Sequence, residues 1–158
     1  MRRTIFITTV LVALAIVPLA SATELTRDEY VTRVEPICKR NTEANKRIFA
    51  GAKEQVKAEK LKAASMHFTR AVGAFEKTIG QLRAVPQPPS DEAKLEKWIR
   101  YLEVESSYLG RIGKALAQGD KGKAQTLSVR LNRNSNLANN TVLAFGFSYC
   151  KIDPSRFS

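Results

Sequence analysis

One histidine, His67, two cysteines, Cys38 and Cys150, and 15 acidic side chains are the groups through which this chain of 158 residues could do metal, nucleophilic or acid–base chemistry. A transition-metal site needs three or four nitrogen, sulfur or carboxylate ligands brought together. His67 is preceded three positions earlier by Ala64, where the di-iron Glu-x-x-His pattern of helical bundles requires glutamate. No Cys-x-x-Cys-His is present for haem attachment. No metal or other cofactor is therefore expected, and His67 reads as a partly buried or surface residue beside the apolar stripe of its helix. A Gly-x-Ser-x-Gly elbow is absent, and any triad would have to draw on the one histidine. Glu103 and Glu105 are two positions apart and project from different sides of a helix, so they are not expected to act as a pair. Asp91, Glu92 and Glu96 fall where a helix begins, and the positive end of its dipole accounts for carboxylates there. No catalytic residues emerge, and the chain reads as a non-enzyme.

Two polar features are more distinctive. Asparagines gather at Asn41 and Asn45 near one end of the chain and at Asn132, Asn134, Asn136, Asn139 and Asn140 near the other. Asn41 and Asn134 occupy stripe positions of their helices. Two inward-facing amides would either bond across the interface and set helix register or line a polar cleft for a small ligand.

The second feature is charge: 26 lysines and arginines against 15 acidic residues, a formal +11. The cations concentrate in two stretches, Lys39 to Lys62 and Lys121 to Arg133. A face shared by Lys39, Arg40, Lys46, Arg47, Lys53, Arg130 and Arg133 would attract an anionic envelope polymer, lipid head groups or an acidic protein, and salt would weaken that attraction. The alternative is charge that serves only solubility. No recognised nucleic-acid-binding motif is present, so nucleic acid is not expected as a partner.

The elements that must position these residues are helical throughout. Residues 1–22 form a basic start (Arg2, Arg3), an apolar run from Ile5 to Leu19 and a small-residue exit, Ala20-Ser21-Ala22. This is the layout of a secretory signal cleaved after Ala22. The rival, a retained membrane anchor, would need about 20 apolar residues. Residues 23–158 are then one domain with 24 basic and 15 acidic side chains, a formal +9. Thr26-Arg27-Asp28-Glu29 fits the capping box, with Leu25 and Tyr30 as its flanking staple. A first helix is predicted over 27–57, kinked at Pro36, with Tyr30, Val34, Ile37, Ala44, Ile48 and Ala52 as its stripe and its last turns, beyond Gly51, frayed. A second spans 61–84, its buried side marked by Ala64, Phe68, Ala71, Phe75, Ile79 and Leu82. Pro86-Gln87-Pro88-Pro89 cannot continue a helix and forms an extended linker. Ser90 is the expected cap of a third helix over 91–118, with Trp98 in its stripe, and Gly119-Asp120 the turn into a fourth over 122–145, stopped by Gly146.

Four amphipathic helices with short connections predict an all-α, up-down-up-down four-helix bundle in which the first and last helices are antiparallel neighbours. Such a bundle brings Cys38 and Cys150 to the same end. Exported chains enter a setting where disulfides persist, so the two are expected to be bonded, the alternative being two buried free thiols. Closing a loop of about 110 residues should stabilise the fold by roughly 4–5 kcal/mol.

Tyr30 to Asn41 with its Ile-Cys-Lys-Arg-Asn core, the Pro-Gln-Pro-Pro-Ser-Asp-Glu linker before a tryptophan-bearing helix, the Gln-Gly-Asp turn and the closing Phe-Gly-Phe-Ser-Tyr-Cys resemble a family of small exported or lipid-anchored helical proteins of high-GC Gram-positive bacteria. The resemblance covers most of residues 23–158. It implies a Cys38–Cys150 bridge and a cell-envelope location, and it brings no activity or ligand. The lipid-attachment cysteine of some members is missing here. The expectation for function is a non-enzymatic envelope-associated or secreted binding module that engages an anionic partner. A small-ligand bundle with a polar interior is the alternative.

Overall fold

A computed structural model describes residues 24–152, so the segment expected to be a signal and its expected cleavage after Ala22 lie outside the described residues. The described residues are helical, without strands: α1 (Arg27–Ile48), α2 (Ala52–Lys57), α3 (Leu61–Arg83), α4 (Glu92–Ala117) and α5 (Lys121–Thr141), with 3-10 turns at Pro89–Asp91 and Leu143–Phe145. The four long helices form the bundle.

Local sequence explains most of the boundaries. Thr26 and Glu29 make the capping box reciprocally at the start of α1, and the helix runs through Pro36 without interruption. It does not reach residue 57. The chain turns at Phe49–Gly51, where Gly51 takes a left-handed conformation (φ 78°) that a side chain would disfavour, and a separate six-residue α2 follows. Ser90 does not cap α4. It lies inside the 3-10 turn, and Asp91 occupies the cap position without a capping bond because its carboxylate is turned to Arg27. Asp120 caps α5, accepting a hydrogen bond from the Lys123 amide (2.9 Å). That helix ends at Thr141, earlier than expected, and a 3-10 turn carries the chain to Gly146, whose φ of 63° stops it.

Broad interfaces join α1 to α3, α3 to α4 and α4 to α5. At the α3–α4 crossing Gly113 lies so close to Phe68 that an added Cβ would stand 3.0 Å from the Phe68 Cβ. The core is centred on Trp98, Tyr30, Ile99 and Leu131, all fully buried. Each such large apolar side chain contributes roughly 1.5–3 kcal/mol through burial. The stripes of α3 and α4 are buried as the spacing predicts, but on α1 Thr42 and Asn45 are buried while Ala44 and Ile48 are only half-buried. The middle of α1 thus turns a polar surface inward.

The segment that follows α5 is tied to the middle of α1, and α1 and α5 share no broad interface along their lengths. The joint is Cys38–Cys150, a disulfide spanning 112 positions. Glu35 reinforces it by accepting hydrogen bonds from the backbone amides of Ser148 (2.8 Å) and Tyr149 (2.9 Å). Asn139 pairs through both atoms of its amide with the backbone of Ile152. At the start of α1, Arg27 donates two hydrogen bonds to Asp91 (2.7 and 2.8 Å), whose side chain is 2% exposed, and stacks over the Phe145 ring. Those hydrogen bonds hold the Asp91 carboxyl below its ordinary range despite its burial.

Candidate functional site

Three surfaces could meet another molecule: a small polar cavity inside the bundle, an apolar groove between its splayed helices, and the basic exterior. The cavity encloses about 40 Å³ between α1, α3, α4 and the segment around Cys150. Asn41, Thr42 and Asn45 line it from α1, Thr78 from α3, and Trp98 and Glu105 from α4. Glu105 is 0% exposed. Burial pushes its carboxyl up to about 8, against the opposing hydrogen bonds of Ser135 and Asn134. At neutral pH it is chiefly a neutral acid. Ser135 donates to Oε2 (3.1 Å), whereas Oε1, the Trp98 indole N–H and the side-chain oxygens of Asn41 and Asn45 have no hydrogen-bond partner.

Glu105 is the site residue that sequence reasoning passed over. Its signal was present, because positions 98, 102, 105, 109 and 112 keep the three-and-four spacing of the buried stripe, so Glu105 stands among Trp98, Leu102, Leu109 and Ile112. Glu103 faces outward and pairs with Arg83 (2.8 Å). The two glutamates do lie on different sides of α4, as their spacing predicts.

Asn41 and Asn134 do not hydrogen-bond to each other. Asn134 is buried on α5 and donates to the Tyr101 carbonyl (2.9 Å) on α4, beside Glu105, while Asn41 faces the cavity from α1. They serve different interfaces because α1 and α5 diverge. Replacing Asn134 by Leu is expected to cost about 0.5–1.5 kcal/mol, the net worth of the lost hydrogen bond to a carbonyl that also accepts within its own helix. Asn41→Leu should cost nothing or stabilise slightly, since its oxygen is already unpartnered. Urea midpoints of the two variants test this, and equal losses would contradict it.

The groove opens where α1–α2 and α5 splay apart and encloses about 390 Å³. That lies within the range of roughly 300–1,000 Å³ of small-molecule sites. Phe68, Ile112 and Leu116 form its floor, Val56 and Ala124 its apolar walls, and Lys53, Lys57 and Lys121 its lysines. His67 fixes the α2 wall. Its Nδ1 donates to the Ile48 carbonyl at the end of α1, and its Nε2 lies 3.1 Å from the side-chain amide of Gln55 on α2. The histidine is half-buried, as expected, and serves as a clip between helices.

The seven cations expected to form an anionic-partner face are all exposed, and none is ion-paired to a described carboxylate. They are distributed over α1, α2 and α5. Lys39 lies over the Tyr149 ring (5.5 Å), Arg40, Lys46 and Arg47 cover the outside of α1, Lys53 lines the groove, and Arg130 and Arg133 stand on α5. The groove lies between α2 and α5, both of which carry exposed cations.

Among the described residues no three histidine, cysteine, aspartate or glutamate side chains cluster to hold a metal ion, and no helix is long and apolar enough to cross a membrane. Comparison with models of protein families, with curated proteins and with solved structures finds no match to the chain.

Proposed function

We propose that the protein is a non-enzymatic, exported binding module of the cell envelope that engages an anionic partner through the basic exteriors of α1–α2 and α5. The observation that carries this reading is the set of seven exposed cations without a described carboxylate partner on α1, α2 and α5. An excess of positive charge left unneutralised by its own fold raises the local concentration of anions and speeds their association. Export rests on the signal-like segment 1–22 and on the family resemblance, and the disulfide accords with an oxidising compartment. Glu105 has the raised pKa of a general acid. The cavity beside it, about 40 Å³, has room for a water-sized guest and not for a substrate, which favours binding over catalysis.

Charge reversal tests the reading. Arg130→Glu/Arg133→Glu and Lys46→Glu/Arg47→Glu should each weaken binding of the protein to dextran sulfate or to vesicles containing phosphatidylglycerol by at least tenfold at low salt. The helical circular dichroism should stay unchanged, because these side chains touch nothing in the core. Unchanged binding by both variants would contradict the proposal.

A second reading, a polar interior site for a small guest, is favoured by one observation. Four buried polar atoms around the cavity, on Asn41, Asn45, Trp98 and Glu105, lack partners, and buried polar groups without partners are costly. The volume restricts such a guest to one or two water-sized molecules or a small ion.

A further inference from the structure

We infer that the groove between α1–α2 and α5 is a binding site for one acyl chain bearing an anionic head, a free long-chain carboxylate. The inference rests on the anionic-partner reading and deepens it. The groove's two chemistries are arranged as such a ligand requires. Its floor of Phe68, Ile112 and Leu116 offers only hydrocarbon, and the wall formed by α2 adds Val56. Lys53 and Lys57 stand one turn apart on that same short helix, and neither is paired with a described carboxylate. Lys121 faces them from α5 and bonds to Glu59 in the α2–α3 connection, so it bridges the splayed arms at the mouth.

Each part excludes a different occupant. A polyanion would have no use for an apolar floor, and a neutral hydrocarbon none for two unpaired ammonium groups. An apolar peptide helix would bury Lys53 and Lys57 at a desolvation cost with nothing to neutralise them. A single acyl chain fills a slot of about 390 Å³ and leaves its carboxylate at the lysines. The arrangement also explains why the chain breaks at Gly51. A straight continuation of α1 would carry Lys53 and Lys57 onward along the α1 axis, whereas the left-handed turn and the His67 clip set α2 as a separate wall.

Calorimetric titration of the purified protein with dodecanoate, below its micelle concentration, tests the inference. One-to-one saturation is expected. Dodecyltrimethylammonium, with the same tail and the opposite charge, should bind at least tenfold more weakly. Lys53→Glu/Lys57→Glu should weaken dodecanoate at least tenfold, and Ser128→Trp, which fills the groove from α5, should remove saturation. Because Lys53 and Lys57 are exposed, their variant folds and keeps the test decisive even if the tryptophan variant does not. Absence of one-to-one saturation, equal affinity for the two tails, or unchanged affinity in the lysine variant would each overturn the site. Dextran sulfate separates the two ideas. Salt-sensitive binding of the polymer without dodecanoate binding would sink the groove and leave the basic surface standing. Dodecanoate binding without polymer binding would uphold the groove and sink the broader surface reading.

Discussion

Glu105→Gln should stabilise the protein little at pH 4 and strongly at pH 9. In the unfolded chain the glutamate ionises near its ordinary value of 4.5, whereas burial holds it protonated to about 8 in the folded protein. Between those values the folded state binds a proton that the unfolded state has released, so rising pH draws the equilibrium toward unfolding. The stability linked to the neutral acid is fully present below about pH 4.5 and is lost as pH rises through about 8. The slope approaches 1.4 kcal/mol per pH unit for one proton, so the cost accumulated across the window is on the order of several kcal/mol. Glutamine keeps the shape, can still take a hydrogen bond from Ser135, and has no charge to bury. The variant's urea midpoint should therefore be nearly flat across the window where the wild type declines. Parallel profiles for the two proteins would show that Glu105 reaches water when it ionises.

Removing the disulfide should produce a loss of similar size. Cys38→Ala/Cys150→Ala frees a loop of 112 positions, and the chain-entropy model assigns about 4–5 kcal/mol to closing it. Glu35 and Asn139 still hold the closing segment after the bond is gone. The loss should therefore appear as a lower urea midpoint with native circular dichroism retained. The oxidised protein should be about 2 Da lighter than the reduced one by intact mass. Equal masses, or equal midpoints with and without reductant, would contradict this.

Much of the frame is readable from local pattern. The Ala64 to Leu82 stripe and the capping box at Thr26 each carry a local physical signal and fall at their expected place, whereas Pro89 already begins a 3-10 turn and Gly146 stops a second 3-10 turn after the last helix has ended at Thr141. Two features escaped for different reasons. Glu105 sits at a stripe position, but a carboxylate at such spacing reads as solvent-facing until the surrounding helices show that it is fully buried. The groove is not local at all. It follows from Gly51 ending the run of α1, from His67 clipping Ile48 to α2, and from α5 packing on α4 in preference to α1. No periodicity within a single helix encodes that divergence. The same divergence separates Asn41 from Asn134, whose pairing had depended on α1 and α5 lying side by side. The basic residues were legible one by one, and the place of Lys53 in the groove wall was not.

The measurement that bears most directly on the central claim is a salt titration of the binding of the purified protein to dextran sulfate. The basic-surface account predicts firm binding at low ionic strength that collapses as salt rises to about 1 M, where the screening length shrinks to about 3 Å. Absence of binding at low salt, or binding indifferent to salt, would contradict it and reduce the exposed cations of α1, α2 and α5 to a solubility feature.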